Sequence, residues 1–256
     1  MLAKIIVYII SGLGAGIGTG LAGLSAAAII SPMLITFLGF DAYEAVGIAL
    51  ASDVLASGVS AYTYGKNKHL DIKNGLVMLL SVLIFTLVGS RIASYVPNST
   101  MGGFSVFMTT FLGIRFIFKP VMQTGQAQAD KSRQRKIAES ILCGILIGFI
   151  CGFIGAGGGM MLLFVLTGVL GYELKMAVGT SVFIMTFTAL TGALSHFAIG
   201  GKPDFLALIV CILATLIGAR GSALFANSAT PKMQNRVTGI VLTVLGIAMI
   251  LVKFVF

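Results

Sequence analysis

Charged side chains are scarce in this chain. Of its 256 residues only 10% are Asp, Glu, Lys or Arg, 57% are hydrophobic, and the mean hydropathy is +1.05. So little charge excludes an ordinary soluble domain and points to a helical membrane protein of several spans. Short alternating strands are missing too, which excludes a membrane β-barrel, because the apolar runs are long and unbroken. There are three cysteines, Cys143, Cys151 and Cys211, and no Cys-x-x-Cys pair among them; all lie in apolar runs and read as small buried hydrophobes.

Catalytic and nucleotide-binding signatures are equally thin. Gly200-Gly201-Lys202 is followed by Pro203 and lacks the upstream glycine of a phosphate loop, and no ATPase motif is present. The Gly-x-Gly patterns from Gly12 to Gly20 lie inside an apolar span with no strand before them, which argues against a dinucleotide fold. Gly23-Leu24-Ser25-Ala26 lacks the second glycine of an intramembrane serine protease, and no nucleophile and base pair stands out. The chain therefore reads as a non-enzyme with no cofactor and no metal. Its formal charge of +9 does not indicate nucleic acid, since the basic residues sit in short loops between apolar spans.

What is present is an all-α integral membrane pattern. Apolar runs and polar breaks give eight expected transmembrane spans, at 5–37, 43–64, 74–95, 101–119, 138–168, 175–199, 205–226 and 233–254. The first and fifth are too long for one straight crossing, because about 30 helical residues run about 45 Å against a hydrocarbon core of about 30 Å. Glycine clusters are the expected breaks, with Pro32 adding one in the first span. The two long spans are copies. Shifting the sequence by 132 superimposes Gly12, Gly16, Gly20 and Gly23 on Gly144, Gly148, Gly152 and Gly155, and Ala45-Val46-Gly47 on Ala177-Val178-Gly179. With small gaps, Asp71 meets Asp204, and Gly89 and Arg91 meet Gly218 and Arg220. The expected organisation is thus two four-helix repeats, 1–119 and 138–256, joined by a polar cytoplasmic linker over 120–137.

Taking each long span as one broken crossing gives four crossings per repeat and halves related by an axis along the membrane normal. Loop charge then places both termini in the cytoplasm, with Lys66, Lys68 and Lys73 on the same side. On that arrangement Arg91 and Arg220 lie at one depth with the glycine run Gly155 to Gly159 and with Thr180 and Ser181. Glycine amides, hydroxyls and guanidinium groups can replace the hydration shell of an oxyanion. The expected substrate-binding set is Gly155, Gly157, Gly158, Gly159, Thr180, Ser181, Arg91 and Arg220, with Gly23 and Ser25 from the weaker first copy. Two further ionisable residues inside spans, Asp53 and His196, are candidates for coupling to protons or sodium. Asp53 aligns with Met185, so the halves are not equivalent.

The duplicated layout, the glycine run Gly148 to Gly159, the Gly179-Thr180-Ser181 opening of the sixth span, and His196 followed by Gly200 and Asp204 together resemble the TauE/SafE family. The likeness covers essentially the whole chain, ending in Gly218-Ala219-Arg220 and Pro231-Lys232. It implies a multi-pass secondary transporter of the plasma (inner) membrane that moves sulfite, a sulfonate or a similar small anion, with export the expected direction. The first copy departs from the pattern, with Gly23-Leu24-Ser25-Ala26-Ala27 in place of the triple glycine and Gly47-Ile48-Ala49 in place of Gly-Thr-Ser. A channel-like conductor of an anion or metal ion is the alternative reading of the same broken helices.

Overall fold

The computed structural model describes residues 2–96, 133–154, 158–200 and 203–255, together with the helical positions 107, 110, 111, 114 and 118. The regular structure of these residues is helical throughout. The first helix, α1 (Leu2–Ala22), is followed by a 3-10 turn at Ala26–Ala28 and a short helix α2 (Ile30–Leu38). Two long helices come next, α3 (Ala42–Lys66) and α4 (Ile72–Ala93). The second half has α5 (Arg133–Ile154), a short α6 (Gly158–Phe164) continued by a π-turn over Val165–Val169, α7 (Leu174–Gly200), α8 (Phe205–Ser228) and α9 (Pro231–Val255).

Six of the described helices are long and apolar enough to cross a membrane: α1, α3, α4, α7, α8 and α9, the last over Pro231–Leu251. Most of the fourth expected span, 101–119, and most of the linker over 120–137 fall outside the described residues. The outer faces of the six helices are greasy. Leu80, Ile84 and Leu87 on α4, and Leu213, Ile217 and Leu224 on α8, are exposed large hydrophobics of the kind lipid tails cover.

Two glycine seams hold the bundle. Gly12, Gly16 and Gly20 lay one side of α1 against α8 so closely that an added Cβ would meet Ala214, then the Thr215 carbonyl and Ala219 amide, then Ser222 and Ala223. Gly144, Gly148 and Gly152 do the same for α5 against α4, at Met78 and Ser81, Val82, and Thr86 and Ser90. In both seams the residue numbers rise together, so each pair of helices runs parallel. With no hydrophobic force between helices in lipid, close backbone contact of this kind supplies the packing energy.

The first long span is broken at Gly23, which adopts the left-handed backbone that only glycine takes without strain. Past the break, the chain does not continue across the membrane as the sequence leads one to expect. The ring of Phe40, just past α2, meets that of Tyr8 near the start of α1, with centroids 6.3 Å apart. The chain thus climbs α1, turns, and returns along α2 to the face from which it came. The fifth span does likewise: α5 ends beside His196, whereas Tyr172, after the π-turn, reaches Asp71 at the opposite face. Each long span is a helix with a short return, not one broken crossing.

These returns set the course of the helices that follow. α3 and α7 are antiparallel, with Gly47 against His196 and Phe197, Leu50 against Gly192, Gly58 against Thr186 and Tyr64 against Gly179. α1 begins and α9 ends at one face, the terminal face. Lys66, Lys68 and Lys73, in and beside the α3 to α4 connection, lie at the other, as do Lys175, Lys232 and the start of α5 with Arg133, Arg135 and Lys136. The termini and the lysine-rich connection therefore do not share a side, which removes the basis on which both were assigned to the cytoplasm.

Replacing Gly148 with leucine drives a branched side chain into the Val82 backbone, and overpacking of this type costs about 1–3 kcal/mol or more where backbone must move. Gly148→Leu is expected to lower the thermal unfolding midpoint in detergent, whereas Gly221→Leu, where nothing lies within 4 Å, leaves it unchanged.

Candidate functional site

A helix interrupted inside an apolar bundle exposes carbonyls at its end, and each needs a donor. At the end of α1, Gly23 and Leu24 amides reach back to the Thr19 and Gly18 carbonyls, at 2.9 and 3.3 Å. The Gly20 carbonyl accepts from the Tyr64 hydroxyl at 2.9 Å, and the Leu21 carbonyl from the Gln234 side-chain amide. Tyr64 and Gln234 are fully or almost fully buried and touch each other at 3.4 Å.

The end of α5 is treated in the same way. His196 places Nε2 3.2 Å from the Gly152 carbonyl, and Nδ1 3.2 Å from the Tyr43 carbonyl, while its ring stacks on that of Tyr43. Gly152 is Gly20 plus 132, and His196 is Tyr64 plus 132. Equivalent side chains thus reach equivalent carbonyls.

The two returns meet in the middle of the bundle. An added Cβ on Gly159, at the start of α6, would strike the Gly23 carbonyl, the Ser25 amide and the Leu24 backbone. The Ser181 hydroxyl on α7 lies 3.3 Å from the Gly23 carbonyl and 3.2 Å from the Gly159 carbonyl, so one side chain bridges both interruptions. Ser25 accepts from the Ala27 amide at 3.3 Å and opens the 3-10 turn. Beneath it lies Asp53, fully buried at mid-length of α3, with Thr19, Ser25 and the Ala26 amide around its carboxyl. Ser57 donates to Asp53 Oδ1 at 2.7 Å.

Of the expected site residues, Gly23, Ser25, Gly158, Gly159 and Ser181 come together here, with Asp53 beside them. Gly155 and Gly157 lie outside the described residues. Thr180 points elsewhere: its hydroxyl accepts from the Asp71 amide at 3.1 Å, tying α7 to the start of α4. His196 caps α5 near the terminal face rather than lining the break.

The expected convergence of the two arginines on the glycine run does not occur. Arg91 and Arg220 are exposed, and Arg91 lies over the ring of Tyr95. Their helices run in opposite directions, so Arg91 falls near the terminal face and Arg220 in the half toward the other face. On each helix the glycine two residues earlier faces inward, Gly89 against Phe149 and Gly218 against Leu13, and two residues of helix turn the arginine away from the bundle. Sequence reasoning also missed Tyr64, Ser57 and Gln234. The alignment of Tyr64 with His196 was the available signal for the first.

At the lysine-bearing face, two polar contacts tie together elements distant in sequence. The Tyr172 hydroxyl donates to Asp71 Oδ2 at 2.8 Å, and His69 Nδ1 lies 2.8 Å from Asn227. Burial works against ionisation of Asp71, but hydrogen bonds from Asn74 and Tyr172 outweigh it and hold its carboxyl below the ordinary range. A cleft of about 530 Å³ opens beside this pair, lined by Leu70, Asp71, Lys73, Tyr172, Glu173 and Met176. At the terminal face the equivalent tie is Asp204, whose amide donates to Glu44 Oε1 at 2.9 Å.

Interrupted helices packed inside an apolar bundle, with polar ties between elements at each face, fit the architecture of a membrane transporter. The chain belongs to the sulfite exporter TauE/SafE family, whose model matches residues 8–249. It is similar to the probable membrane transporter proteins YunE of Bacillus subtilis, 26% identical over 96% of this chain and 97% of that one, and MJ0441 of Methanocaldococcus jannaschii, 26% identical over 95% and 94%. YdhB of Bacillus subtilis, also a probable membrane transporter protein, is 22% identical over 83% of this chain and 86% of its own. No solved structure matches the chain.

Two outcomes test this geometry. Tyr64→Phe leaves the Gly20 carbonyl without its donor, and an orphaned buried carbonyl costs about 1–3 kcal/mol; the thermal midpoint in detergent is expected to fall accordingly. Because the folded-state pKa of Asp71 is depressed, its stabilisation is complete above the ordinary carboxylate range and is lost as pH falls through the folded value. Tyr172→Phe is expected to flatten that acid limb of the stability profile.

Proposed function

We propose that this protein is a secondary transporter that moves a small sulfur-containing anion, such as sulfite or a sulfonate, across the plasma membrane by alternating access. The observation that carries the reading is the meeting of the first interruption, Gly23 to Ser25, with the start of α6 at Gly159, under the bridging hydroxyl of Ser181. Unwound backbone at membrane depth is tolerated where it is buried in protein or lines a substrate path, and discontinuous helices are where transporters hold substrate. The family supports the class of cargo.

The repeat relation that fits this packing is an inverted one. α1 of the first half packs on α8 of the second, α5 of the second packs on α4 of the first, and the Tyr64 and His196 caps are exchanged by the same operation. Inverted halves supply two related arrangements, one open to each face, which is the physical basis of alternating access. In such a cycle the Asp71 with Tyr172 tie and the Asp204 with Glu44 tie release in turn. The concentration of Lys66, Lys68, Lys73, Lys175 and Lys232 at one face supports a cytoplasmic reading of that face, with both termini on the other side.

Purified protein in liposomes is expected to accumulate sulfite or a sulfonate in a saturable way, and Ser181→Val, which removes the bridge and crowds the break, abolishes it. Linear, unsaturable flux would instead indicate a channel-like conductor. A reporter enzyme active only outside the cytoplasm, fused after the C-terminal residue, is expected to be active; an inactive fusion with a correctly inserted protein would reverse the orientation.

A further inference from the structure

We propose that Asp53 is a proton-binding site, reached from the lysine-bearing face along a stripe of hydroxyls on α3. Asp53, Ser57, Ser60 and Tyr64 stand at i, i+4, i+7 and i+11, which an α-helix brings within about 40° of one line. All four are fully buried. The opposite course, toward the terminal face, passes Ala49, Val46 and Ala42 and carries no polar side chain. Beyond Tyr64 the stripe continues to Gln234 and to Asn235 on α9, near the lysine-bearing face.

Spare hydrogen-bonding capacity is concentrated along this line. Asp53 Oδ2, Ser60 Oγ and Gln234 Oε1 are three of the five buried side-chain atoms without a hydrogen-bond partner among the described residues. A buried carboxylate oxygen with no partner calls for a proton or a cation. Among the described residues, no lysine or arginine stands beside Asp53. Of the elements packed around it, α5 presents the thiol of Cys151, α7 has His196 two turns away against Gly47, and α8 has Cys211 against Ser11 and the exposed Arg220. Nor do the described residues hold any cluster of three or more His, Cys, Asp or Glu side chains. Single hydroxyls spaced a turn apart suit a proton passing between them and water, as in the relays of pumps. Hydronium at the lysine-bearing face supplies the proton, and Asp53 returns it to water.

The coupling rests on the anion reading. A charged carboxylate under Ser25 repels an anion held at the interruption, so the protonated form favours anion binding and each promotes the other. The second half has Met185, Ala189 and Gly192 at the positions of Asp53, Ser57 and Ser60, so one proton site serves the whole molecule.

Infrared difference spectra of the purified full-length protein, stepped from mildly acid to mildly alkaline buffer without added anion, test the site apart from transport. The wild type is expected to lose a protonated-carboxyl band that is missing from Asp53→Asn and shifted in Ser57→Ala, with slower deuterium exchange of that band in Ser60→Ala. A band that is unshifted in Ser57→Ala, or that responds to sodium at constant pH and not to pH, would overturn the proposal. An intact band with no sulfite or sulfonate uptake would sink the anion reading alone; uptake with no such band would sink the proton site alone.

Discussion

Inside a bilayer every backbone amide and carbonyl must find a partner within the protein, and this chain breaks two helices there. The rest of the structure answers that constraint. Carbonyls freed at the end of α1 go to Tyr64 and Gln234, and the matching carbonyl at the end of α5 goes to His196. The returns beyond the two breaks are pressed together at Gly159 and Gly23 and joined by one serine hydroxyl. The glycine seams let α8 and α4 approach closely enough to enclose these ends.

Such an arrangement links architecture to transport. The interruption at Gly23 and the start of α6 at Gly159 meet inside the bundle under the hydroxyl of Ser181. Polar ties join the helices at each face, Tyr172 to Asp71 at one and Asp204 to Glu44 at the other. The halves are alike in frame and unlike in chemistry. Thr19, Ser25, Asp53 and Ser57 surround the first interruption, and Cys151, Gly157, Met185 and Ala189 are their counterparts in the sequence of the second. One half thus carries the buried carboxylate and its hydroxyls, while the other keeps the richer glycine run.

Much of this was legible in the sequence. The helical membrane class came from composition, and the glycine seams and the break near Gly23 came from spacing. Family membership came from the order of the motifs. The direction of the chain after the break was not legible: residue count limits how far α2 can run, and only the contact of Phe40 with Tyr8 says which way it runs. That single turn reversed the second half, separated Arg91 from Arg220, and moved the lysine-rich connection away from the termini. The arginines were misjudged for a second reason, since their depth could be counted from the sequence but their position around the helix depended on which side Gly89 and Gly218 pack. Tyr64 was passed over because a tyrosine at a span end draws no notice until its partner at position 196 is seen to be a histidine capping the equivalent carbonyl.

The central claim is that the two interruptions form one substrate site that opens to each face in turn. In a background with Cys143, Cys151 and Cys211 replaced by alanine or serine, Ser181→Cys gives a single thiol at the bridge. Membrane-impermeant reagents are predicted to modify it from either face of oriented vesicles, and a transported sulfur oxyanion is predicted to protect it. Modification from one face only, or at a rate that no transported anion changes, would contradict the account.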